Sequence, residues 1–258
     1  MEGPKFRFPH ERHQQMIDLI MERKRVGTGE LAAALGISLP TVRRDLVVLE
    51  QAGLVSRTHG GVAVRGGGGE HDAEPLFLEK VRVRQNLKLR IAEAAAAEVE
   101  NRKVVLLDSG TTTLAIARAL AGRPITVVTV DLKTAEAAAT GATEVHVVGG
   151  KVRNGYYSVI GNWALNTLKS IRADMFFLGA DAIDEDGVTT STFEEAEVKR
   201  VAMEQARRTV LVADHGKIGN HSFSKVCPLD AVDLFITDRA AEPMIAHYRH
   251  KFSEVRLV

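Results

Sequence analysis

The sequence is poor in cysteine, in long apolar runs and in net charge. Cys227 is the only cysteine in 258 residues, so no disulfide can form within the chain, and we expect a reducing compartment. No apolar run approaches the roughly 18 residues of a membrane-spanning helix, and the charged N-terminus lacks the apolar core of a signal peptide. These absences predict a cytoplasmic protein with no membrane partner.

The net charge of +1 conceals an uneven distribution along the chain. Residues 1–65 contain ten Lys/Arg and seven Asp/Glu, a net charge of +3, whereas the remainder contains 24 and 26, a net charge of −2. This distribution fits a modestly basic first domain, of the kind that binds nucleic acid, joined to a nearly neutral one. Because the excess is small, base contacts and dimerisation are expected to add affinity.

A helix-turn-helix pattern occupies residues 28–54. Gly36 is predicted to end a first short helix. The hydroxyl of Ser38 can cap a second helix, because it can accept a hydrogen bond from a free backbone N–H. Pro40 fits the first turn of that helix, where a missing N–H costs little.

The second helix combines a buried stripe with a basic surface. Apolar residues spaced by four and three form the stripe, which consists of Val42, Leu46 and Leu49. Thr41, Arg43 and Arg44 point away from it, as in helices that enter the major groove of DNA. A small helical bundle with an incidental pair of arginines is the alternative.

Residues 54–64 are predicted to form a β-hairpin directly after this helix. Gly60 and Gly61 can adopt the positive φ angles of a tight turn. A hairpin in this position is the wing of a winged helix domain. Arg57 and His59 lie near its tip, where they can contact phosphates or the minor groove.

The rest of the chain alternates apolar runs with helical patterns. An amphipathic helix over residues 10–25 completes the first domain, and a long helix over 76–99 begins the second. Seven buried strands are predicted within 103–108, 125–130, 145–148, 175–178, 210–213, 234–237 and 254–257. Intervening helices are predicted at 112–121, 132–140, 162–170, 194–207 and 242–250. This alternation predicts an α/β domain with a largely parallel sheet, whose ligands bind at the carboxyl ends of the strands.

The segment after the first strand of this sheet has the composition of an anion site. It consists of Asp108, Ser109, Gly110, Thr111, Thr112 and Thr113. Free N–H groups at the start of a helix attract negative charge, the glycine permits close approach, and the hydroxyls add donors. The segment is neither a P-loop nor a G-x-G-x-x-G motif. A threonine-rich helix cap without a ligand is the alternative.

Polar residues also follow the later strands or begin a helix, and we expect them to meet on the same rim. They are Thr129, Asp131, Gly150, Lys151, Asp181, Glu195, Lys199, Asp214 and Lys217. Lys199 could instead form ion pairs within its own helix, and Asp214 and Lys217 could belong to a solvated loop. The histidines lack metal-ligand spacing, so no metal or cofactor is predicted.

The domain boundaries follow from these patterns. Residues 1–65 are predicted to form the winged helix-turn-helix, residues 66–75 a linker, and residues 76–258 a domain for effector sensing and oligomerisation. The linker contains four consecutive glycines, which hold no fixed backbone conformation.

Ordered motifs over nearly the whole chain resemble the DeoR family of bacterial transcriptional regulators. In the first domain the resemblance rests on Glu30–Ala32, Leu35–Ser38, Thr41–Leu46, Leu49–Glu50, Gly53 and Arg57–Gly61. In the second it rests on Leu107–Thr113, Val127–Thr129, Gly149–Gly150, Gly161, Glu195–Lys199, Ala213–Lys217 and Ile236–Asp238.

The resemblance implies a repressor of a sugar-catabolism operon that a phosphorylated sugar releases from double-stranded operator DNA. It implies a C-terminal domain that resembles the sugar-phosphate isomerase fold, and a dimeric or tetrameric working form. By the same likeness, Ser109–Thr113 would hold the phosphate, and Lys199, Asp214 and Lys217 would lie near the sugar.

Two positions depart from the family pattern. Val130 stands where the family usually has asparagine, and Gly216 where it often has serine. The loss of an amide that could bind a sugar hydroxyl leaves a changed, non-sugar-phosphate effector as an alternative.

An isomerase-like enzyme with an appended head is the remaining alternative. Asp181, Asp214 and Lys199 could in principle transfer protons on a bound sugar. The first 65 residues would then have no purpose, so the sequence favours a regulator that is not an enzyme.

Overall fold

The computed structural model describes residues 9–23, 25–51, 55–58, 61–64 and 77–258. The chain divides into two compact units, Met1–Glu79 and Lys80–Val258. The predicted linker over 66–75 lies outside the described residues and stays a prediction. Among the helices of the described residues, none is both long enough and apolar enough to cross a membrane.

The first unit is a winged helix-turn-helix, as the sequence predicts. Its elements are α1 (Pro9–Arg23), β1 (Arg25–Gly27), α2 (Thr28–Leu35), α3 (Leu39–Gln51), β2 (Val55–Thr58) and β3 (Gly61–Val64). The three strands form an antiparallel sheet in the order β1-β3-β2. The sequence analysis does not predict β1, which is too short to show a period.

The pairing of β1 with β3 explains why residue 61 is a glycine. Val26 of β1 faces Val62 of β3, and both side chains are buried. A Cβ atom on Gly61 would lie 2.7 Å from the carbonyl oxygen of Val26, which is closer than Cβ atoms approach other heavy atoms in proteins. The close approach of the two backbones therefore requires glycine at this position.

One apolar core holds this unit together. Its buried members are Met16, Ile17, Ile20, Val26, Leu31, Leu35, Val42, Leu46, Leu49, Val55 and Val62. Leu19 packs against the core, so the predicted apolar face of the first helix is confirmed. The core draws on all three helices and the wing, which fixes the tilt of α3 relative to the hairpin.

The second unit contains a parallel sheet of seven strands. They are β4 (Val104–Leu107), β5 (Thr126–Thr129), β6 (Glu144–Val147), β9 (Met175–Leu178), β12 (Thr209–Val212), β14 (Leu234–Thr237) and β15 (Val255–Leu257). Their order across the sheet is β15-β14-β12-β9-β4-β5-β6, and every neighbouring pair is parallel. All seven predicted strands are present, and they form this one sheet. The two edge strands are not buried as predicted, because β6 is mostly exposed and β15 is partly exposed.

Helices cover both faces of the sheet. The helices of this unit are α5 (Gln85–Ala97), α6 (Thr111–Leu120), α7 (Leu132–Ala138), α8 (Asn162–Lys169), α9 (Phe193–Gln205) and α10 (Glu242–Ile245). Before them, α4 (Phe77–Arg82) spans the boundary between the two units. Alternate residues of β4 belong to different cores, because successive side chains of a strand point to opposite faces. Leu106 packs with α8 and α9, whereas Val105 and Leu107 pack with α5 and α6.

Short antiparallel strands complete the second unit, and the sequence analysis does not predict them. They are β7 (Lys151–Val152), β8 (Val159–Ile160), β10 (Ala182–Asp184), β11 (Gly187–Thr190) and β13 (Ser224–Cys227). β7 pairs with β8, and the other three form a sheet in the order β10-β11-β13. Runs of two to four residues are too short for periodicity to show.

Two predicted helices differ from the structure. The helix expected over 76–99 is broken between α4 and α5, where Arg84 has a left-handed φ of 52°. The helix expected over 242–250 ends at Ile245 and is followed by a 3-10 turn at Arg249–Lys251. Bonds from Tyr248 N–H to Ile245 O and from Lys251 N–H to Tyr248 O tighten this segment.

Candidate functional site

The predicted turn between α2 and α3 has the expected local chemistry. Gly36 ends α2 in a left-handed conformation, with φ at 62°. The hydroxyl of Ser38 accepts a hydrogen bond from the backbone N–H of Thr41 at 3.3 Å, which caps α3. Pro40 lies in the first turn of α3. The start of α3 is therefore built as the sequence predicts.

The two sides of α3 differ in burial, as the sequence predicts. Val42, Leu46 and Leu49 are buried in the core of the first unit. Arg43 and Arg44 are exposed, and Thr41 is partly exposed. A basic surface at the N-terminal half of α3 is thus available to a groove of DNA.

Asp45 is a buried member of α3 that the sequence analysis missed. Its carboxylate accepts hydrogen bonds from Arg12 Nε at 2.5 Å and Nη2 at 3.0 Å, and lies 3.0 Å from His13 Nε2. Burial acts to raise the pKa of Asp45, but the bonds from Arg12 and His13 outweigh it and lower the pKa. These contacts fasten α1 to the helix that carries Arg43 and Arg44.

The wing is present, but part of its tip is not described. Arg57 lies in β2, where its backbone faces Val62 of β3. His59 and Gly60, which are predicted to contact DNA, lie outside the described residues. Their roles stay predictions.

The carboxyl edge of the parallel sheet carries a buried ion pair. Asp108 follows β4, and its carboxylate accepts hydrogen bonds from Ser109 N–H at 2.8 Å, from Gly179 N–H at 2.9 Å and from Lys199 Nζ. Asp108 is 1% exposed and Lys199 is 5% exposed. Burial alone would lower the pKa of Lys199, but Asp108 and Glu195 raise it, so its ammonium stays charged. Lys199 therefore reaches the rim, and its bond to Asp108 overturns the alternative of purely helical ion pairs.

The helix α6 begins beside this pair with an unusual backbone. Gly110 has φ 130° and ψ 172°, a region that is essentially restricted to glycine. Ser109, Thr111 and Thr112 are partly exposed at the helix start. Thr113 is fully buried, and its hydroxyl donates to the carbonyl of Gly110 at 2.9 Å, within the first turn of the helix.

Asp181 collects four hydrogen bonds after β9. One oxygen accepts from Lys80 Nζ at 2.8 Å. The other accepts from the hydroxyls of Thr190 and Ser191 at 2.9 and 2.8 Å, and from Ser191 N–H at 3.1 Å. Burial would raise the pKa of Asp181, but Lys80 and other nearby lysines hold it well below its ordinary value. Asp181 is therefore a fixed negative charge.

Asp214 follows β12 and is 2% exposed. Its carboxylate accepts from Gly216 N–H at 2.9 Å and lies 3.5 Å from a guanidinium nitrogen of Arg84. This burial and pairing do not fit a solvated loop. Lys217 is partly exposed in the 3-10 turn that Asp214 caps.

Glu195 joins the same group of charges. Its carboxylate accepts from Ser158 Oγ at 2.9 Å and lies 2.5 Å from Arg153. Its second oxygen is buried and has no hydrogen-bond partner within the described part of the chain. An acceptor in this state is available to a donor from a ligand.

Thr129 ends β5, Asp131 follows that strand, and both residues are fully buried. Thr129 donates to the carbonyl of Leu107 at 3.0 Å, and one oxygen of Asp131 caps α7 by accepting from Thr134 N–H at 2.8 Å. The other oxygen of Asp131 accepts no hydrogen bond from any described residue. Val130 between them is 2% exposed and belongs to the apolar core.

The stability of the second unit is expected to depend on pH through Asp131. Burial raises its pKa to about 6. Between pH 4 and 6 the folded chain holds a proton that the unfolded chain has released, so the free energy of unfolding falls as pH rises through this range. A shift of about two units corresponds to about 3 kcal/mol.

Asp131→Asn is expected to remove this dependence, because asparagine is neutral and still caps helices well. The difference in urea unfolding between the variant and the unaltered chain should grow from pH 4 to 7. Asp186→Asn, at an exposed position, is the matched control. Parallel pH profiles for Asp131→Asn and the unaltered chain would contradict the assignment.

Gly150 precedes β7 and Lys151 begins it. A Cβ atom on Gly150 would lie 2.7 Å from the carbonyl oxygen of Ile160, so this glycine serves the pairing of β7 with β8. Lys151 is exposed on β7. Both line a surface cavity of about 310 Å³, with Ile160, Gly161, Asn162 and Trp163.

Matches to known families cover both units. The description "DeoR C terminal sensor domain" matches residues 83–239, and "DeoR-like helix-turn-helix domain" matches residues 12–65. The chain belongs to the DeoR family. As a DeoR-family transcriptional regulator, it has a DNA-binding domain and a sensor domain for a small molecule.

Relatives in the DeoR family match most of the chain. The "HTH-type transcriptional regulator GlpR" of Haloferax volcanii is 34% identical over 232 residues, 89% of this chain and 90% of that protein. The "Glycerol-3-phosphate regulon repressor" of Escherichia coli K12 is 30% identical over 234 residues, 88% and 90%. A solved ribose 5-phosphate isomerase A from Methanocaldococcus jannaschii is similar over 52% of this chain and 54% of that chain, with 17% identity and a TM-score of 0.38.

Three cations near Asp181 and Asp214 are missing from the residues that the sequence predicts for this rim. Lys80, Arg84 and Lys88 are spaced by four residues, which indicates one basic stripe on the predicted helix. The break at Arg84 changes the path of the segment, so spacing alone does not show which carboxylates these residues meet.

Proposed function

We propose that this chain represses a sugar-catabolism operon and that a phosphorylated sugar, bound at the carboxyl edge of the parallel sheet, weakens its binding to operator DNA. The proposal draws on the names of the relatives, among them a glycerol-3-phosphate regulon repressor. The observation that carries it is the buried Asp108–Lys199 pair beside the glycine-initiated helix α6. Buried charges in this setting are typical of a binding site.

In this proposal the first unit reads DNA through α3 and the wing. Thr41, Arg43 and Arg44 contact base edges in the major groove, and Ser38 and Pro40 lie where the helix meets the backbone. Arg57, His59 and Gly60 of the wing contact phosphates or the minor groove. Two copies in a dimer would place their α3 helices on half-sites one helical turn apart, or a multiple of it.

The sensor domain would hold the phosphate at residues 109–113. The backbone N–H groups of this segment are at the start of a ten-residue helix, where the helix dipole favours an anion. Ser109, Thr111 and Thr112 would add hydroxyl donors, whereas the hydroxyl of Thr113 is already used within the helix.

The other polar groups would recognise the sugar. The unpartnered oxygens of Asp131 and Glu195 can accept hydrogen bonds from sugar hydroxyls. Asp181, Lys199, Asp214 and Lys217 set the charge of the site, and Thr129 holds the loop before Asp131. Gly150 and Lys151 belong to the proposed effector-binding set as well.

The proposal extends to the organisation of the chain. It is a regulator without enzymatic activity, it works as a dimer or tetramer, and residues 66–75 form the linker between its domains at 1–65 and 76–258. Incubation with pentose and hexose phosphates should therefore give binding without turnover. Isomerisation at a rate above that of heat-inactivated protein would favour the enzyme instead.

Thermal melting against a panel of phosphorylated and unphosphorylated sugars tests the effector. The panel includes glycerol 3-phosphate, ribose 5-phosphate and fructose 6-phosphate. A ligand at 100 times its dissociation constant adds about 2.7 kcal/mol to the stability of the folded chain. We expect a shift with a phosphorylated compound and none with its unphosphorylated counterpart.

Thr112→Val should abolish that shift, because it removes a donor near the expected phosphate. Thr140→Val, at an exposed position on another helix end, is the matched control. No shift with any phosphorylated compound would contradict the proposed effector. A shift with a non-phosphorylated compound would favour the changed effector that Val130 suggests.

A further inference from the structure

The corner between α4 and α5 brings positive charge to the sensor site. We call residues 80–88 the α4–α5 corner. It lies within the second unit, and in chain order it directly follows the segment that leads from the winged helix-turn-helix. The corner is therefore the first part of the sensor domain that the chain reaches after the DNA-binding unit.

Lys80 binds Asp181, one of the carboxylates that follow strands of the sheet. Its ammonium donates to Asp181 at 2.8 Å, and both side chains are 17% exposed. Asp181 retains three further hydrogen bonds from Thr190 and Ser191 when Lys80 is disregarded. The carboxylate of Asp181 is thus held by Thr190 and Ser191, and Lys80 adds a bond from a distant part of the chain.

Arg84 binds Asp214, another of these carboxylates, from a strained backbone. Its φ is 52° and its ψ is 39°, a left-handed conformation that costs a non-glycine residue free energy. The side chain reaches Asp214 at 3.5 Å. A residue in this conformation persists only where its surroundings hold it there.

Gly216 leaves the space that the guanidinium of Arg84 occupies. A Cβ atom on residue 216 would lie 2.2 Å from a guanidinium nitrogen of Arg84 and 2.4 Å from its central carbon. Any side chain at 216 would displace Arg84 from this position. The glycine that departs from the family pattern is therefore matched to the arginine at the corner.

Lys88 is a buried residue of α5 that binds the backbone of α4. Its side chain is 5% exposed, and its ammonium donates to the carbonyl of Lys80 at 2.5 Å. Burial lowers the pKa of Lys88 to about 8, and the negative charge of Asp214 acts against this shift. The backbone of Lys80 is thus tied to α5 independently of the bond between its side chain and Asp181.

The cations of the site differ in how freely they can change partners. Lys199 is enclosed and bound to Asp108 and to the carbonyl of Gly179. The side chain of Arg84 is 39% exposed, and its ion pair is long at 3.5 Å. An incoming anion competes most easily for a cation whose existing bond is exposed and weak.

We propose that Lys80 and Arg84 belong to the ligand site and that the α4–α5 corner reports its occupancy, since the side chain of Arg84 can exchange Asp214 for the anionic group of a phosphorylated ligand while Lys80 adds positive charge beside it. This inference rests on the proposed function for the identity of the ligand. When the side chain of Arg84 leaves its position beside Asp214 and Gly216, its left-handed backbone can relax. The path of the chain at the start of the sensor domain then changes. A ligand shifts a conformation only through such a difference in contacts.

Hydrogen exchange of the ligand-free full chain tests the corner without any effector. Arg84→Gln is expected to speed exchange of the backbone amides of residues 85–90 by about tenfold, because one fastening of α5 is lost. Arg84→Lys should restore part of the protection. Arg90→Gln, an exposed residue of the same helix, is the matched control and should change nothing. Equal exchange in Arg84→Gln and the unaltered chain would overturn the inference.

Affinity for DNA tests whether the α4–α5 corner affects the DNA-binding unit. The probe is a duplex isolated from random DNA by the unaltered protein, and circular dichroism verifies that each variant is folded. Without ligand, Lys80→Gln/Arg84→Gln is expected to bind this duplex about tenfold more weakly, a typical size for coupling between sites. Unchanged affinity in this variant would overturn the reporting role.

The two proposals fail in different ways. If no sugar phosphate shifts the melting temperature of the unaltered chain, the proposed effector is wrong, and the exchange and DNA results still decide the role of the corner. If a sugar phosphate does bind, it should release the unaltered chain from the duplex but have less than a tenth of that effect on Arg84→Gln. Full release of both chains would overturn the inference while the effector stands.

Discussion

Arg43→Ala and Arg44→Ala are each expected to weaken binding to operator DNA by about 1–3 kcal/mol, roughly 5- to 150-fold, because a bidentate arginine–guanine contact has this value. Both side chains are exposed on α3, whose opposite side is buried in the core. Neither substitution should alter folding. Fluorescence anisotropy with a duplex selected by the unaltered protein measures the loss.

Arg23→Ala is the control for this prediction. It removes one positive charge from an exposed position on α1, so its effect on non-specific attraction is comparable. We expect Arg23→Ala to weaken binding to selected and unselected DNA alike. The assignment of α3 fails if Arg43→Ala and Arg44→Ala lower affinity no more than this control does.

The second large effect is expected at the buried ion pair. Lys199→Met should lower the free energy of unfolding of the second unit by about 3–5 kcal/mol, because Asp108 is then left as a buried charge without its cation. Asp108 is 1% exposed, so water cannot replace the lost partner. Urea unfolding followed by circular dichroism measures the difference.

A double variant separates charge from packing. Lys199→Met/Asp108→Asn buries neither charge, and the single carbonyl oxygen of asparagine can still accept one of the two N–H groups, of Ser109 and Gly179, that bind different oxygens of Asp108. We expect it to recover part of the stability that Lys199→Met loses. Lys169→Met, at an exposed position, should change stability by less than about 0.5 kcal/mol. No recovery in the double variant would show that the loss comes from packing.

Local patterns predict the sheet and its rim well. Seven apolar runs separated by helical patterns can bury themselves only as a layered sheet, and the parallel order then brings their carboxyl ends to one edge. Asp108, Asp181 and Asp214 are found at that edge because each directly follows a strand. The cap of α3 is equally local, since Ser38 and Thr41 are three residues apart.

Local patterns do not predict which residues pair when they are distant in the chain. Asp108 and Lys199 are 91 residues apart, and Arg12 and Asp45 are 33 apart. Their pairing depends on how helices cross and strands are ordered, which no short pattern contains. The left-handed conformation of Arg84 is likewise unpredictable, because helix propensity favours continuation there and a tertiary contact overrides it.

The order of the central strands has a consequence for synthesis on the ribosome. β4 pairs with β5, which follows soon after it, and on its other side with β9, which begins only at Met175. A nascent chain that ends after β6 therefore presents the open edge of a strand whose Leu106 and Leu107 are destined for the interior. Such an edge invites pairing with other chains, so stalled or truncated products of this length are expected to aggregate or to need a chaperone.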